Sequence, residues 1–148
     1  MPALQTTYAA RISPSFEGMI ADEQDHTVLS KQVETAAGIG FGKIACQGTT
    51  DDQIVVATAG RPWRGITVAT HNAAQSSADA FTQYETAPVL EKGVIWVSAS
   101  VAVAVGDAVY FVPATGVFTN VASGNTAIPG AIWDSSTTGA GLARVRIR

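Results

Sequence analysis

"VSASVAVAVGDAVYFVP", residues 97–113, admits three readings: a membrane span, a buried helix, or a pair of strands. A membrane helix needs about 20 consecutive, mostly apolar residues. Here the apolar run from Val101 is broken by Gly106-Asp107. A helix is disfavoured by the spacing. Val101, Val103 and Val105 recur at every second position with Ala102 and Ala104 between them, which puts valines on one face of a strand and alanines on the other. Valine is also β-branched and stiff at χ1, a property that suits strands better than helices. Gly106-Asp107 is a turn pair, and Pro113 closes the following run because it has no N–H to give to a ladder. The stretch is therefore expected to form two strands, 101–105 and 108–112, meeting at a tight turn. The small alanine face invites close packing by another layer or another chain.

The same alternation extends outward from this stretch. Strands are expected at 41–47, 53–59, 65–70, 82–90, 94–100, 117–120, 127–134 and 142–147. They are separated by "QGTTDD", "AGRP", "EKG", "VGD", "PATG", "ASGN" and "SSTTGAG". Short strands punctuated this densely indicate an all-β fold, a single antiparallel β-sandwich or small barrel over residues 36–148. One helical turn is conceivable in "NAAQSSADAFTQ", residues 72–83.

Residues 1–35 have a different texture. Pro2, Pro14, Gly18 and the acidic "ADEQDH" accompany scattered apolar residues. Leu4, Tyr8 and Ile12 are four apart, but Pro14 stops any helix soon after. An extended N-terminal arm is expected, with at most short pieces of structure and with an anchor on either the protein's own sheet or a partner. Leu4, Tyr8, Ile12 and Phe16 are its candidate apolar contacts.

The totals exclude several function classes. The chain has 148 residues, enough for one domain that needs no covalent staple. Its single cysteine, Cys46 in "KIACQ", permits no intrachain disulfide and reads as a small buried hydrophobe. Charged residues make up only 14% and net charge is −3, without any Lys/Arg run, so direct nucleic-acid binding is not expected. So little charge suits a surface that is partly covered by other chains. Residues 1–18 lack both a basic start and an apolar core, so no leader peptide is expected and the product is expected to be made in the cytoplasm. No membrane association is expected.

No constellation of catalytic or metal-binding residues stands out. "GIGFGKIA", residues 38–45, fails the phosphate-loop pattern because Ile44 follows Lys43 and the glycine spacing is wrong. Its glycines are better read as a bend or a close backbone approach where a strand begins. His26 and His71 lack companions at metal-ligand spacing, and no G-x-S-x-G nucleophile elbow occurs. Asp51-Asp52 fit a turn. No catalytic, cofactor or metal residue is therefore expected. Trp96 and Trp133 lie in apolar strands and are expected in the core. Trp63 in "GRPWRG" is expected in a loop between Arg61 and Arg64. Trp with Arg is the composition of an interface hot spot, although local packing and sugar stacking are also open to it. The C-terminal "LARVRIR" alternates, with Leu142, Val145 and Ile147 apolar and Arg144, Arg146 and Arg148 opposite. That is either a half-exposed antiparallel strand or a basic stripe that docks on an acidic surface.

"GDAVYFVPATGVFTN" followed by "AIPGAIWDSSTTGAGLARVRI" resembles the capsid cement, or decoration, proteins of tailed bacteriophages. Their outline is an apolar strand, Gly-Asp, a Val-Tyr strand, a Thr-Gly-x-aromatic hairpin, a Gly-Ala-x-x-Asp strand, a Gly-rich loop and a final Leu-x-Arg-Val-Arg strand. Gly106, Asp107, Val109, Tyr110, Gly116, Phe118, Gly130, Ala131, Asp134, Gly141, Leu142 and Val145 match it, and "RGITVATHNA" upstream fits more loosely. The likeness covers roughly residues 38–147. It implies a jelly-roll-like or barrel-like β-domain and a dimer or trimer on the outer virion capsid, bridging subunits of the major capsid protein. It implies neither catalysis nor a cofactor. A carbohydrate-binding β-sandwich that presents Trp63 to sugars, another phage head–tail structural protein and a hydrolase are the competing readings.

Overall fold

A computed structural model of the chain describes residues 15–70 and 79–148. Eleven strands run in chain order: β1 (Thr27–Val33), β2 (Ile39–Gly40), β3 (Ile44–Gln47), β4 (Gln53–Val56), β5 (Trp63–Thr67), β6 (Ala80–Phe81), β7 (Thr86–Ala99), β8 (Ala108–Phe111), β9 (Phe118–Thr119), β10 (Thr126–Trp133) and β11 (Gly141–Ile147). No helix occurs among the described residues, and the expected all-β class holds.

Nine strands form one sheet that closes on itself twice. β1–β4–β3–β5–β7 returns to β1, and β7–β11–β10–β8–β9 returns to β7 through the parallel pair Ala99–Phe118. The result is two five-stranded rings sharing the 14-residue strand β7. Closure leaves few free ladder edges, which removes the usual route to edge-to-edge aggregation. The expected turn at "EKG" is instead a bend within β7. Gly93 at φ +130° lets the strand change direction without ending. Before it β7 pairs with β1 and β5; from it onward β7 pairs with β11.

The wall between the rings is buried on both faces. Alternate side chains of a strand point to opposite sides. Accordingly Ile44, Cys46, Ile66 and Leu90 enter the main core with Ile95, Val97, Phe111, Trp133 and Val145. Ala45 and Val89 enter a smaller core with Val33, Ile39, Phe41, Ile54, Phe81 and Ala87. Cys46 is thus the buried hydrophobe expected, and burial pushes its thiol pKa up.

Trp96, expected in the core, is instead half-buried on the outward side of β7. Three expectations about chain segments also need correcting. Residues 101–105 are not a ladder strand. Val103 alone forms a bridge, with Thr137, while Val105 is 63% exposed. The segment is held from the side: Val103 N–H donates to Thr137 Oγ1 at 3.3 Å and Val105 N–H to Ser136 Oγ at 3.2 Å. The tight turn at Gly106-Asp107 is present, but β8 beyond it pairs with β10 and β9. Second, residues 27–33 are no arm. They form β1, paired with β7 from Thr27 to Gln32 and with β4 at its end. Third, Leu142 shares the outward side of β11 with the arginines, and Ala143, Val145 and Ile147 go inside. The helical turn considered at 72–83 and His71 fall mostly or wholly outside the described residues; Ala80–Phe81 form β6.

Two carboxylates give the fold an acid dependence of definite sign. Asp107 accepts hydrogen bonds from Asn120 Nδ2 at 2.8 Å and from the Ala104 N–H at 3.0 Å, and these hold its pKa below the usual carboxylate range. Glu34 is held low by the hydroxyl and N–H of Thr49, both at 2.6 Å. A carboxyl with a depressed folded pKa stabilises the native state above its unfolded pKa, and that contribution is lost as pH falls through the folded value. The thermal midpoint should therefore drop below about pH 4, and more shallowly in Asp107→Asn and Glu34→Gln. Melts recorded between pH 6 and 2 that ran parallel for all three chains would contradict this.

Candidate functional site

The chain enters the described fold through a short clamp. Gly18 N–H donates to the Trp96 carbonyl at 2.8 Å, Trp96 N–H to Met19 O at 2.9 Å, and Ala21 N–H to Val94 O at 2.8 Å. Ile20 bridges Ile95 across the same edge of β7. From the other side Ala69 N–H donates to Gly18 O at 2.8 Å. Residues 17–21 are therefore stitched between the two rings. Lys43 Nζ reaches Glu17 Oε1 at 2.6 Å over the joint, a partly exposed pair of modest worth.

The joint needs two glycines back to back. Gly18 has φ +83° and Gly42 φ +63°. A Cβ on Gly18 would stand 2.7 Å from the Gly42 nitrogen; one on Gly42 would stand 2.6 Å from the Gly18 nitrogen. This is the close backbone approach that "GIGFGKIA" suggested. Its partner, the arm, could not be read from the sequence, because nothing in the order of residues links position 18 to position 42.

Phe16 lies just upstream of the clamp and is 44% exposed. Leu4, Tyr8 and Ile12 lie outside the described residues. The second candidate cluster is placed differently from expectation. Trp63 and Arg64 belong to strand β5, and only Arg61 sits in the preceding turn. The register of β5 against β3 shifts by one residue between Ala45–Gly65 and Cys46–Trp63. That bulge turns Trp63 onto the main core, against which it packs half-buried. Local packing, one of the readings open to Trp63, is thus what its position supports. Arg64 extends to Glu91 at 3.7 Å and Arg61 Nη1 donates to Gln47 O at 3.0 Å.

The structure does not merge the two clusters. The arm root abuts the Thr67 end of β5, where Gly42 N–H meets Thr67 O. Trp63 lies at the other end, four residues or about 13 Å away along the strand. The basic stripe of β11 is largely satisfied at home. Arg146 reaches Asp134 at 2.9 Å, Arg144 reaches the same carboxylate at 3.7 Å, and the Arg144 guanidinium lies 5.7 Å from the Trp96 ring centre. The half-exposed strand is the better description of Arg144 and Arg146, and Arg148 at the end is exposed.

Between the clamp and the β8–β9 hairpin runs an open groove of about 360 Å³, lined by Glu17, Lys43, Ser98, Ser100, Val117 and Phe118 among others. No group of three or more His, Cys, Asp or Glu side chains at metal-binding spacing occurs among the described residues. Beside this groove residues 17–21 are stitched onto the double ring.

No curated protein matches the chain. A solved chain from the capsid of Myoviridae phage XM1 superposes with a TM-score of 0.78, covering 99% of this chain and 98% of its own, at 17% identity. At that identity the likeness shows a shared fold. The family described as structural cement protein (E217 gp24/Pam3 gp6) matches residues 4–148, both rings and the clamp included. The chain accordingly belongs to this family of phage structural cement proteins and is a component of the virion capsid.

Proposed function

We propose that the protein acts without chemistry, as a clamp on the outer surface of the major capsid protein shell that spans joints between capsomers. The observation that carries this reading is the arm root. Hydrogen bonds on both sides of Gly18 fix residues 17–21 on the double ring, and in this reading the residues before them grip a different subunit from the rings at a set separation. Sixteen residues reach up to roughly 55 Å when extended. Linking two weak contacts through one rigid body makes the second nearly intramolecular, and avidity rises without any new contact. A specific protein contact buries about 1,600 Å² in total. Most of the gross hydrophobic gain is offset by docking and ordering costs, but a shell repeats the remainder over many symmetric copies.

In this reading Leu4, Tyr8, Ile12 and Phe16 are the arm's apolar contacts. Arg61 and Arg64, beside the half-buried Trp63, form a second, smaller contact. The protein attaches as a dimer or trimer.

The test is deletion of residues 2–14, which keeps the buried Ser15 and the Phe16 carbonyl that accepts from Met19 N–H at 3.2 Å. The truncated chain should melt close to the full chain, because every hydrogen bond of the clamp survives. Its binding to shells assembled from the major capsid protein should fall at least tenfold in a co-sedimentation titration. Equal binding by the two chains would remove the arm from the mechanism.

A further inference from the structure

At one end of the first ring the chain passes through Thr82, Gln83, Tyr84 and Glu85 into β7. Tyr84 sits there at φ +67°. That is the left-handed region, which a Cβ disfavours and which glycine or asparagine fills more readily. The turn is fixed from several directions. Thr82 N–H and Oγ1 donate to Glu85 Oε2 at 2.8 and 3.2 Å. Tyr84 N–H donates to Val33 O at 2.7 Å, and Gln83 Nε2 donates to Glu34 O at 3.1 Å. The Tyr84 side chain is nevertheless 65% exposed, more than any other large apolar side chain among the described residues. Its burial therefore does little to offset the backbone strain. The hydrogen bonds of the turn, with Gln32 Nε2 donating to Tyr84 O at 3.4 Å, hold that strain, and a strained backbone held under an exposed aromatic ring suits use by something outside the fold. A tyrosine on an ordered backbone also makes an economical anchor, since few torsions remain to be frozen on binding.

The surroundings say what kind of partner fits. Next to Tyr84 the outward positions of β1 and β7 are Gln32, Ser30 and Thr86, all uncharged and exposed, and Gln53 Nε2 donates to Gln32 Oε1. Around them stand the carboxylates of Glu34, Asp51, Asp52 and Glu85. The nearby cations are fewer: the Lys31 side chain is 12% exposed, with Nζ 3.0 Å from Asp51 O and 3.8 Å from Asp52 Oδ1, and Arg61, exposed, donates to Gln47 O. We infer that this end of the first ring docks through Tyr84 on an arginine- or lysine-bearing surface of another protein. A cation stacks favourably on a tyrosine face, and the carboxylate rim complements it. A second copy presenting the same end would set carboxylate against carboxylate. The inference rests on the proposed function, in which the capsid shell supplies that basic surface.

The experiment is Tyr84→Asn in the full chain, with shells of the major capsid protein as the probe. Asparagine tolerates the left-handed backbone, so the thermal midpoint should hold or rise. Shell binding should weaken about 30-fold, the effect of losing a central aromatic anchor. Replacing Asp51 and Asp52 together by Asn should flatten the salt dependence of binding by the parent chain. If the parent binds and Tyr84→Asn binds equally well, this surface is wrong while the proposed function stands. If the parent does not bind shells, both fail. If sedimentation shows Tyr84→Asn converting a soluble oligomer to monomers, the occupant is a second copy and the inference is overturned.

Discussion

Gly42→Val should destabilise the chain by about 3 kcal/mol and free the arm root from β7. Two contributions add. A β-branched side chain in the left-handed region costs roughly 1–2 kcal/mol. Forcing atoms into a packed joint costs typically about 1–3 kcal/mol more, and here the new Cβ would stand 2.6 Å from the Gly18 nitrogen and from Glu17 Cγ. Gly124→Ala separates the two. Gly124 has φ +74°, and a Cβ added there would meet nothing within 4 Å, so it carries backbone strain alone and should lose only about 1 kcal/mol. Gly18→Val breaks the same joint from the other side, so the double variant should lose much less than the sum of the singles. Urea unfolding gives the magnitudes. Hydrogen exchange at the amides of Gly18, Ala69 and Trp96 reports whether the clamp opens. A Gly42→Val chain no less stable than Gly124→Ala would mean that the approach of the two backbones does not hold the arm.

The punctuation of the chain was more legible than its pairings. Alternation and turn residues gave the all-β class, the turn at Gly106-Asp107, and the strands around Cys46, Ile54, Phe111, Trp133 and Val145. They failed wherever a local pattern has a non-local cause. Residues 101–105 alternate as a strand should, but a ladder needs a neighbour, and the backbone of that segment meets the side chains of Ser136 and Thr137 instead. "EKG" carries turn residues, yet partners on both sides hold β7 continuous and Gly93 only bends it. β1 was missed because its middle inward position is Lys31, whose amine caps the Asp51 carbonyl; a charged residue there hides the apolar period.

Of the candidate site, only the close approach was legible, in the glycines of 38–42; Leu4, Tyr8 and Ile12 lie outside the described residues. The bulge that folds Trp63 onto the core arises from a register shift against β3, which no property of "GRPWRG" announces. Tyr84 escaped notice because a left-handed tyrosine looks like any other tyrosine in sequence. Only the backbone shows the strain, and only the fold shows that the ring faces out.

Trp133→Ala should cost about 3–5 kcal/mol, the range for emptying a large buried aromatic site. Trp133 is 0% exposed at the end of β10, in the main core with Phe111, Val145 and Ile128. Its neighbours come from strands locked in a closed ring, so collapse into the void is limited. Trp133→Phe should behave differently. The indole Nε1 is buried without a hydrogen-bond partner among the described residues, and such a donor costs about 1–3 kcal/mol. Phenylalanine removes it and vacates a smaller volume, a loss on the order of 1 kcal/mol. The two effects oppose, and the Phe variant should fall within about 1 kcal/mol of the parent. If Phe cost as much as Ala in urea unfolding, the donor would not be an uncompensated one. Domains of this kind are stable by only about 5–15 kcal/mol, so the Ala variant should lose shell binding in parallel with its fold, whereas Tyr84→Asn should lose it with the fold intact. That contrast separates residues that build the clamp from residues that grip.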